Sequence, residues 1–90
     1  MIDAKKILVV EDESHLAKGL QFNLEREGYI VSLVDNGESA IELLGEQAFD
    51  LMILDIMLPK LNGIEVAKRV RNTDIRFPIL MLSAKSSDED

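Results

Sequence analysis

Three short apolar runs govern what this chain can fold into: Ile7-Leu8-Val9-Val10, Leu51-Met52-Ile53-Leu54 and Ile79-Leu80-Met81-Leu82. Each is continuous, with no polar residue at alternate positions. A strand with one wet face alternates; a strand covered on both faces does not, and the members of a parallel sheet read in this second way. A fourth run, Tyr29-Ile30-Val31-Ser32-Leu33-Val34, is broken by Ser32 and suits a sheet edge.

The segments between the runs carry helical spacing. Leu16, Ala17, Leu20 and Leu24 share one helical face; Ser14 is the expected N-cap and Gly28 the stop signal. Ala40, Ile41, Leu44 and Ala48 make a second stripe, entered through Asp35-Asn36-Gly37, with Gly45 weakening that helix by about 1 kcal/mol relative to alanine. Ile64, Ala67 and Val70 make a third, with Glu65 near Lys68 and Arg69 on the wet side. Pro78 closes the connection to the last run. Strand and helix thus alternate from a first strand to a fourth, which specifies an α/β domain with a parallel sheet and right-handed crossovers.

Length and charge narrow the function. Ninety residues support one domain. The apolar fraction of 47% is too high for a disordered chain, yet no run approaches the roughly 18 residues of a membrane span. The start has no signal-peptide pattern, since only four apolar residues follow Lys5-Lys6. A formal charge of −7 argues against direct contact with nucleic acid. The absence of cysteine removes disulfides and thiolate metal sites and is compatible with the cytoplasm, the expected location.

Each buried run ends in polar residues: Glu11-Asp12 after the first, Asp55 after the third strand, Ser83 after the fourth. Ligands of open α/β sheets bind beyond the carboxyl ends of the strands, where the strand order switches. If the first and third strands are neighbours, Glu11, Asp12 and Asp55 meet in one pocket. Three adjacent carboxylates repel one another unless a cation lies between them, and an oxygen donor set with room for water suits Mg²⁺. The loop Asp55-Ile56-Met57-Leu58-Pro59-Lys60-Leu61-Asn62-Gly63 is stiffened by Pro59 and turned by Asn62-Gly63, and it can aim a backbone carbonyl such as that of Met57 at the cation. The Ser83 hydroxyl and the N–H groups around Ala84 can receive a phosphoryl oxygen. His15, Lys85, Phe22 and the methionines Met52, Met57 and Met81 read as ordinary surface, loop or core residues, while Phe49 and Phe77 close the ends of the core.

Together, Glu11-Asp12, Asp55, the Asp55…Pro59…Gly63 loop and Ser83-Ala84 resemble the receiver domain of a two-component response regulator. The resemblance implies a flavodoxin-like doubly wound parallel sheet in strand order 2-1-3-4. It makes Asp55 the phosphoryl acceptor and Ser83 the switch hydroxyl, with the Ala84 N–H beside it. Mg²⁺ would be held by Asp12, Asp55 and the Met57 carbonyl, and by Glu11 through water. The implied partners are a sensor histidine kinase and, in the parent protein, a downstream DNA-binding effector, with the stretch Leu82-Ser83-Ala84-Lys85 closest to the winged-helix subfamily.

The resemblance also sets expectations about extent. Receiver domains carry a fifth strand ending in Lys followed by Pro, an aromatic switch residue on that strand, and a fifth helix. Lys85 follows the fourth strand and is not that lysine. Ser86-Ser87-Asp88-Glu89-Asp90 reads as the start of a fourth helix, so residues 1–90 are expected to be an incomplete receiver domain. Phosphotransfer is then expected to be impaired, and the run at 79–82, left at a sheet edge, is expected to drive self-association. Two other readings follow from the residues: a self-associating half-domain scaffold without phosphotransfer, and an aspartyl phosphohydrolase. Such hydrolases place a second Asp two residues after the first, where this chain has Met57.

Overall fold

The apolar runs become strands and the stripes between them become helices. The computed structural model describes residues 3–82. The order is β1 (Lys6–Val10), α1 (Ser14–Arg26), β2 (Ile30–Val34), α2 (Gly37–Glu46), β3 (Leu51–Asp55), α3 (Gly63–Thr73) and β4 (Ile79–Leu82). All pairings are parallel, in the order β2-β1-β3-β4. The chain therefore steps from β1 to one side and then back past it to β3, which puts the topological switch between β1 and β3. No described helix is long and apolar enough to cross a membrane.

Reversal of direction puts the helices on opposite faces, as right-handed crossovers require. One face carries Leu8, Val10, Met52 and Leu54, buried together with Ala40 of α2, Val66 of α3 and Leu58 of the β3–α3 loop. The other carries Ile7, Val9 and Ile53 beneath Leu20 and Leu24 of α1. The side chains alternate between the two cores along each strand, which is why the runs show no polar residue.

The helix starts show which local signals prevailed. Asn36 and Asn62 cap α2 and α3, accepting from the N–H groups of Ser39 at 2.8 Å and Glu65 at 3.1 Å. For α1 the cap is Glu13 rather than Ser14: its longer carboxylate reaches the Leu16 N–H at 2.8 Å, and Ser14 becomes the first helical residue. The buried faces are also rotated from the simple stripes. Ala17 rather than Leu16 is buried on α1, and Val66 rather than Ile64 on α3. Ala48 lies past the end of α2. The edge position expected for the run with Ser32 is where β2 sits.

Candidate functional site

The register of β1 on β3 pairs Val10 with Leu54 and so sets Glu11 beside Asp55 at the carboxyl rim. The Glu11 N–H donates to the Val34 carbonyl at 3.1 Å, which holds the chain in the sheet for one residue past β1. Asp12 follows and faces solvent, whereas Glu11 and Asp55 are only 4% and 9% exposed. One carboxylate oxygen from each of Glu11, Asp12 and Asp55 lies within 4.8 Å of the others. The sequence placed these three together, and the structure brings them together.

Their hydrogen bonding is incomplete. Glu11 Oε2 accepts from the Glu13 N–H at 3.0 Å, while Oε1 is buried without a partner among the described residues. Burial pushes the Glu11 carboxyl above its ordinary value against the pull of the Glu13 N–H, and the neighbouring charges of Asp55 and Asp12 push it further. Asp55 Oδ1 accepts the Met57 N–H at 3.1 Å. A buried carboxylate oxygen lacking a donor, beside two further carboxylates, is the environment that a hard divalent cation relieves.

The β3–α3 loop frames the rim from the other side. The Ile56 carbonyl accepts from both the Leu58 N–H at 3.1 Å and the Gly63 N–H at 2.9 Å. Leu58 is anchored in the core, while Met57 is 60% exposed at the rim. Lys60 adopts φ 62°, in the left-handed region, to make the turn. Ser83 and Ala84 lie outside the described residues, as does Lys85. His15 is exposed in the first turn of α1.

An open cleft of about 460 Å³ is lined by Glu11 and Asp12 of the trio together with Ser14, Lys18, Val34 and Asp35. Asp35 and Lys18 were not singled out from the sequence. For Asp35 the signal was there, since it follows β2 as Glu11 follows β1. Its Oδ1 accepts from Asn36 Nδ2 at 2.8 Å, so it also braces the residue that caps α2.

Comparison with known proteins agrees with this geometry. Residues 7–90 match the family described as the response regulator receiver domain. The chain is 51% identical over 86 residues to the alkaline phosphatase synthesis transcriptional regulatory protein PhoP of Bacillus subtilis, covering 96% of this chain and 36% of that protein. It is 44% identical over 84 residues to the transcriptional regulatory protein YkoG of the same organism, covering 93% and 37%. The chain thus spans little more than a third of the length of these relatives. Among solved structures, the response regulator TrrA of Thermotoga maritima, in complex with Mg²⁺–BeF, superposes with a TM-score of 0.87 at 39% identity, covering 91% of this chain and 71% of that one.

Proposed function

The chain belongs to the response regulator receiver domain family, and on that premise we propose that it accepts a phosphoryl group on Asp55 in two-component signalling. The observation that carries this reading is the meeting of Glu11, Asp12 and Asp55 at the switch point, with a Glu11 oxygen buried and unpartnered. That donor set fits Mg²⁺. Asp12, Asp55 and the Met57 carbonyl would hold it, with Glu11 acting through water. When bound, the cation neutralises the carboxylates and the incoming phosphoryl group, which would otherwise repel one another.

The residues of the chain supply the rest. A carboxylate oxygen of Asp55 attacks phosphorus of a phosphohistidine, or of a small phosphodonor, as the P–N or donor bond breaks. The leaving imidazole takes a proton, and the product is an acyl phosphate on Asp55. The Met57 N–H fixes the orientation of the carboxylate. Ser83 and Ala84 are assigned the new phosphoryl oxygens, through hydroxyl and N–H. The domain is in this reading a phosphoacceptor and not an enzyme acting on external substrates. Its location is the cytoplasm and its partners are a sensor histidine kinase and, in the parent protein, a DNA-binding effector, a reading supported by the naming of the two relatives as transcriptional regulatory proteins.

A second reading concerns the outer edge of β4, proposed as a surface through which two copies of residues 1–90 associate. Among the described residues no strand covers the outer edge of β4, and Leu80 is 53% exposed. These support pairing of that edge with a second copy. Mass spectrometry after incubation with Mg²⁺ and a small phosphodonor tests the first reading: one phosphoryl group is added, and Asp55→Asn adds none. Addition that persists in Asp55→Asn would refute it.

A further inference from the structure

Two buried glycines link α2 to the acidic rim. At Gly37, the first residue of α2, a β-carbon would collide with Val66 Cγ2 and lie 2.9 Å from the Leu61 carbonyl oxygen and 3.4 Å from Leu61 Cβ. At Gly63, the first residue of α3, a β-carbon would collide with the Asp55 carbonyl oxygen and lie 2.8 Å from Ile56 Cα and 2.9 Å from the Asp55 carbonyl carbon. The backbone from Leu61 to Gly63 is therefore wedged between the start of α2 and the backbone of Asp55 itself. By contrast, Gly19 and Gly45 have nothing within 4 Å of where a β-carbon would stand.

The wedged segment has little slack. Lys60 already spends conformational energy at φ 62°. Leu58 is locked in the core, and the Ile56 carbonyl ties Leu58 and Gly63 together. A push on Leu61 therefore has two outlets. It can displace Gly63 against Asp55, or it can swing the stretch around Met57 that faces the carboxylates.

We propose that Gly37 is a positioning residue for the phosphoacceptor site: the close approach of α2 through Gly37 seats Leu61, and through Gly63 fixes where Asp55 and the Met57 backbone stand. The proposal rests on the phosphoacceptor reading above. Gly37 touches neither cation nor phosphoryl group and acts only through the loop.

The test measures Mg²⁺ affinity by calorimetry, and the amide resonances of Asp55 and Met57 in the Mg²⁺-free protein. It compares the wild-type chain with Gly37→Ala, Gly45→Ala, Val66→Ala and Gly37→Ala/Val66→Ala. Gly37→Ala is expected to weaken Mg²⁺ binding about tenfold, the scale on which supporting residues tune metal sites, and to shift both resonances. Gly45→Ala, in the same helix, is expected to change neither. Removing the Val66 methyls relieves that collision and leaves the one with the Leu61 carbonyl oxygen, so the double variant is expected to keep the weakened affinity whatever its stability. A purely structural role would move affinity and stability together. If Gly37→Ala does not fold, the double variant compared with Val66→Ala decides: a tenfold weaker affinity supports the wedge, and equal affinities overturn it. Unchanged affinity and resonances in folded Gly37→Ala overturn the wedge and leave the functional reading standing. A wild-type chain that binds no Mg²⁺ overturns that reading, and the wedge with it.

Discussion

The two faces of the sheet are built to different standards. On the α2–α3 face, Leu8, Val10, Met52 and Leu54 meet Ala40, Val66 and Leu58, and every one of these is buried. On the α1 face, among the described residues, Ile7, Val9, Ile53 and the small Ala17 reach that state, while Leu20 and Leu24 are half-buried and Leu16 is 48% exposed. Among the described residues, two helices and a loop seal one face, and one helix covers the other. The site takes its parts from both. Counting alternately along the strands, Glu11 follows Ile7 and Val9, and Asp55 follows Ile53, so the reactive carboxylates cap the loosely covered columns. The loop that frames them is rooted in the sealed face through Leu58. The difference teaches that rigidity and reactivity are divided: the closed core fixes the geometry, and the polar ends of the open columns supply the chemistry.

The largest expected effect probes that division directly. Leu54→Ala removes a fully buried side chain from the sealed face and is expected to cost about 3 kcal/mol in urea unfolding. Leu20→Ala, on the open face, is expected to cost about half as much, because less of its surface is removed from water. Equal losses would break the comparison.

The same division explains what could be read in the sequence. Continuous apolar runs reveal strands covered on both faces, and the acidic residues that end them reveal the rim, so the fold and the Glu11-Asp12-Asp55 cluster were legible. The helix faces were less so. Ile64 and Leu16 satisfy helical spacing as well as Val66 and Ala17 do, and only the rotation of each helix on the sheet decides which side chain is buried. Glu13 as a cap escaped because serine is the commoner choice, and the length of the glutamate side chain decided the matter. The left-handed Lys60 and the tight seats of Gly37 and Gly63 depend on contacts made at a distance in the chain, which spacing does not encode.

A second prediction concerns the carboxylates at the ends of the open columns. Without a cation, Asp55 sits in mutual repulsion with Glu11 and Asp12. Asp55→Asn is therefore expected to stabilise the Mg²⁺-free fold by about 1 kcal/mol at neutral pH while abolishing phosphorylation. Added Mg²⁺ should raise the melting temperature of the wild-type chain more than that of the variant. A destabilised Asp55→Asn would show that the rim is held together by that carboxylate and not strained by it.

A smaller effect follows from Glu11. Its raised pKa means that, above the ordinary carboxylate range, the folded chain keeps a proton that the unfolded chain has lost. Mg²⁺-free stability is thus present at low pH and falls as pH rises through the raised value. Glu11→Gln is expected to flatten this segment of the pH profile, and saturating Mg²⁺ to flatten it too, because the cation favours the ionised form that the unfolded chain already holds there. A Mg²⁺-free profile that rises through that range would show that the Glu13 N–H bond outweighs burial.

The smallest change in stability belongs at the outer edge of the open face. Leu80 pairs with Ile53 in the β3–β4 register and stands half exposed on the strand whose far side meets no other described strand. Replacing a side chain so exposed removes little buried area, so Leu80→Gln is expected to shift stability by no more than about 0.5 kcal/mol. Its effect on assembly is the informative one. If copies of the chain pair along β4, the apolar contact beside the backbone ladder is lost, and sedimentation velocity should show more monomer in the variant at equal concentration. Arg71 donates to the Phe77 carbonyl just ahead of β4, so the entry to the strand is held by contacts that the substitution leaves alone. An unchanged sedimentation profile, with the wild-type chain monomeric throughout, would mean that the open face tolerates exposure as it stands, and that the contrast between the faces is one of packing alone.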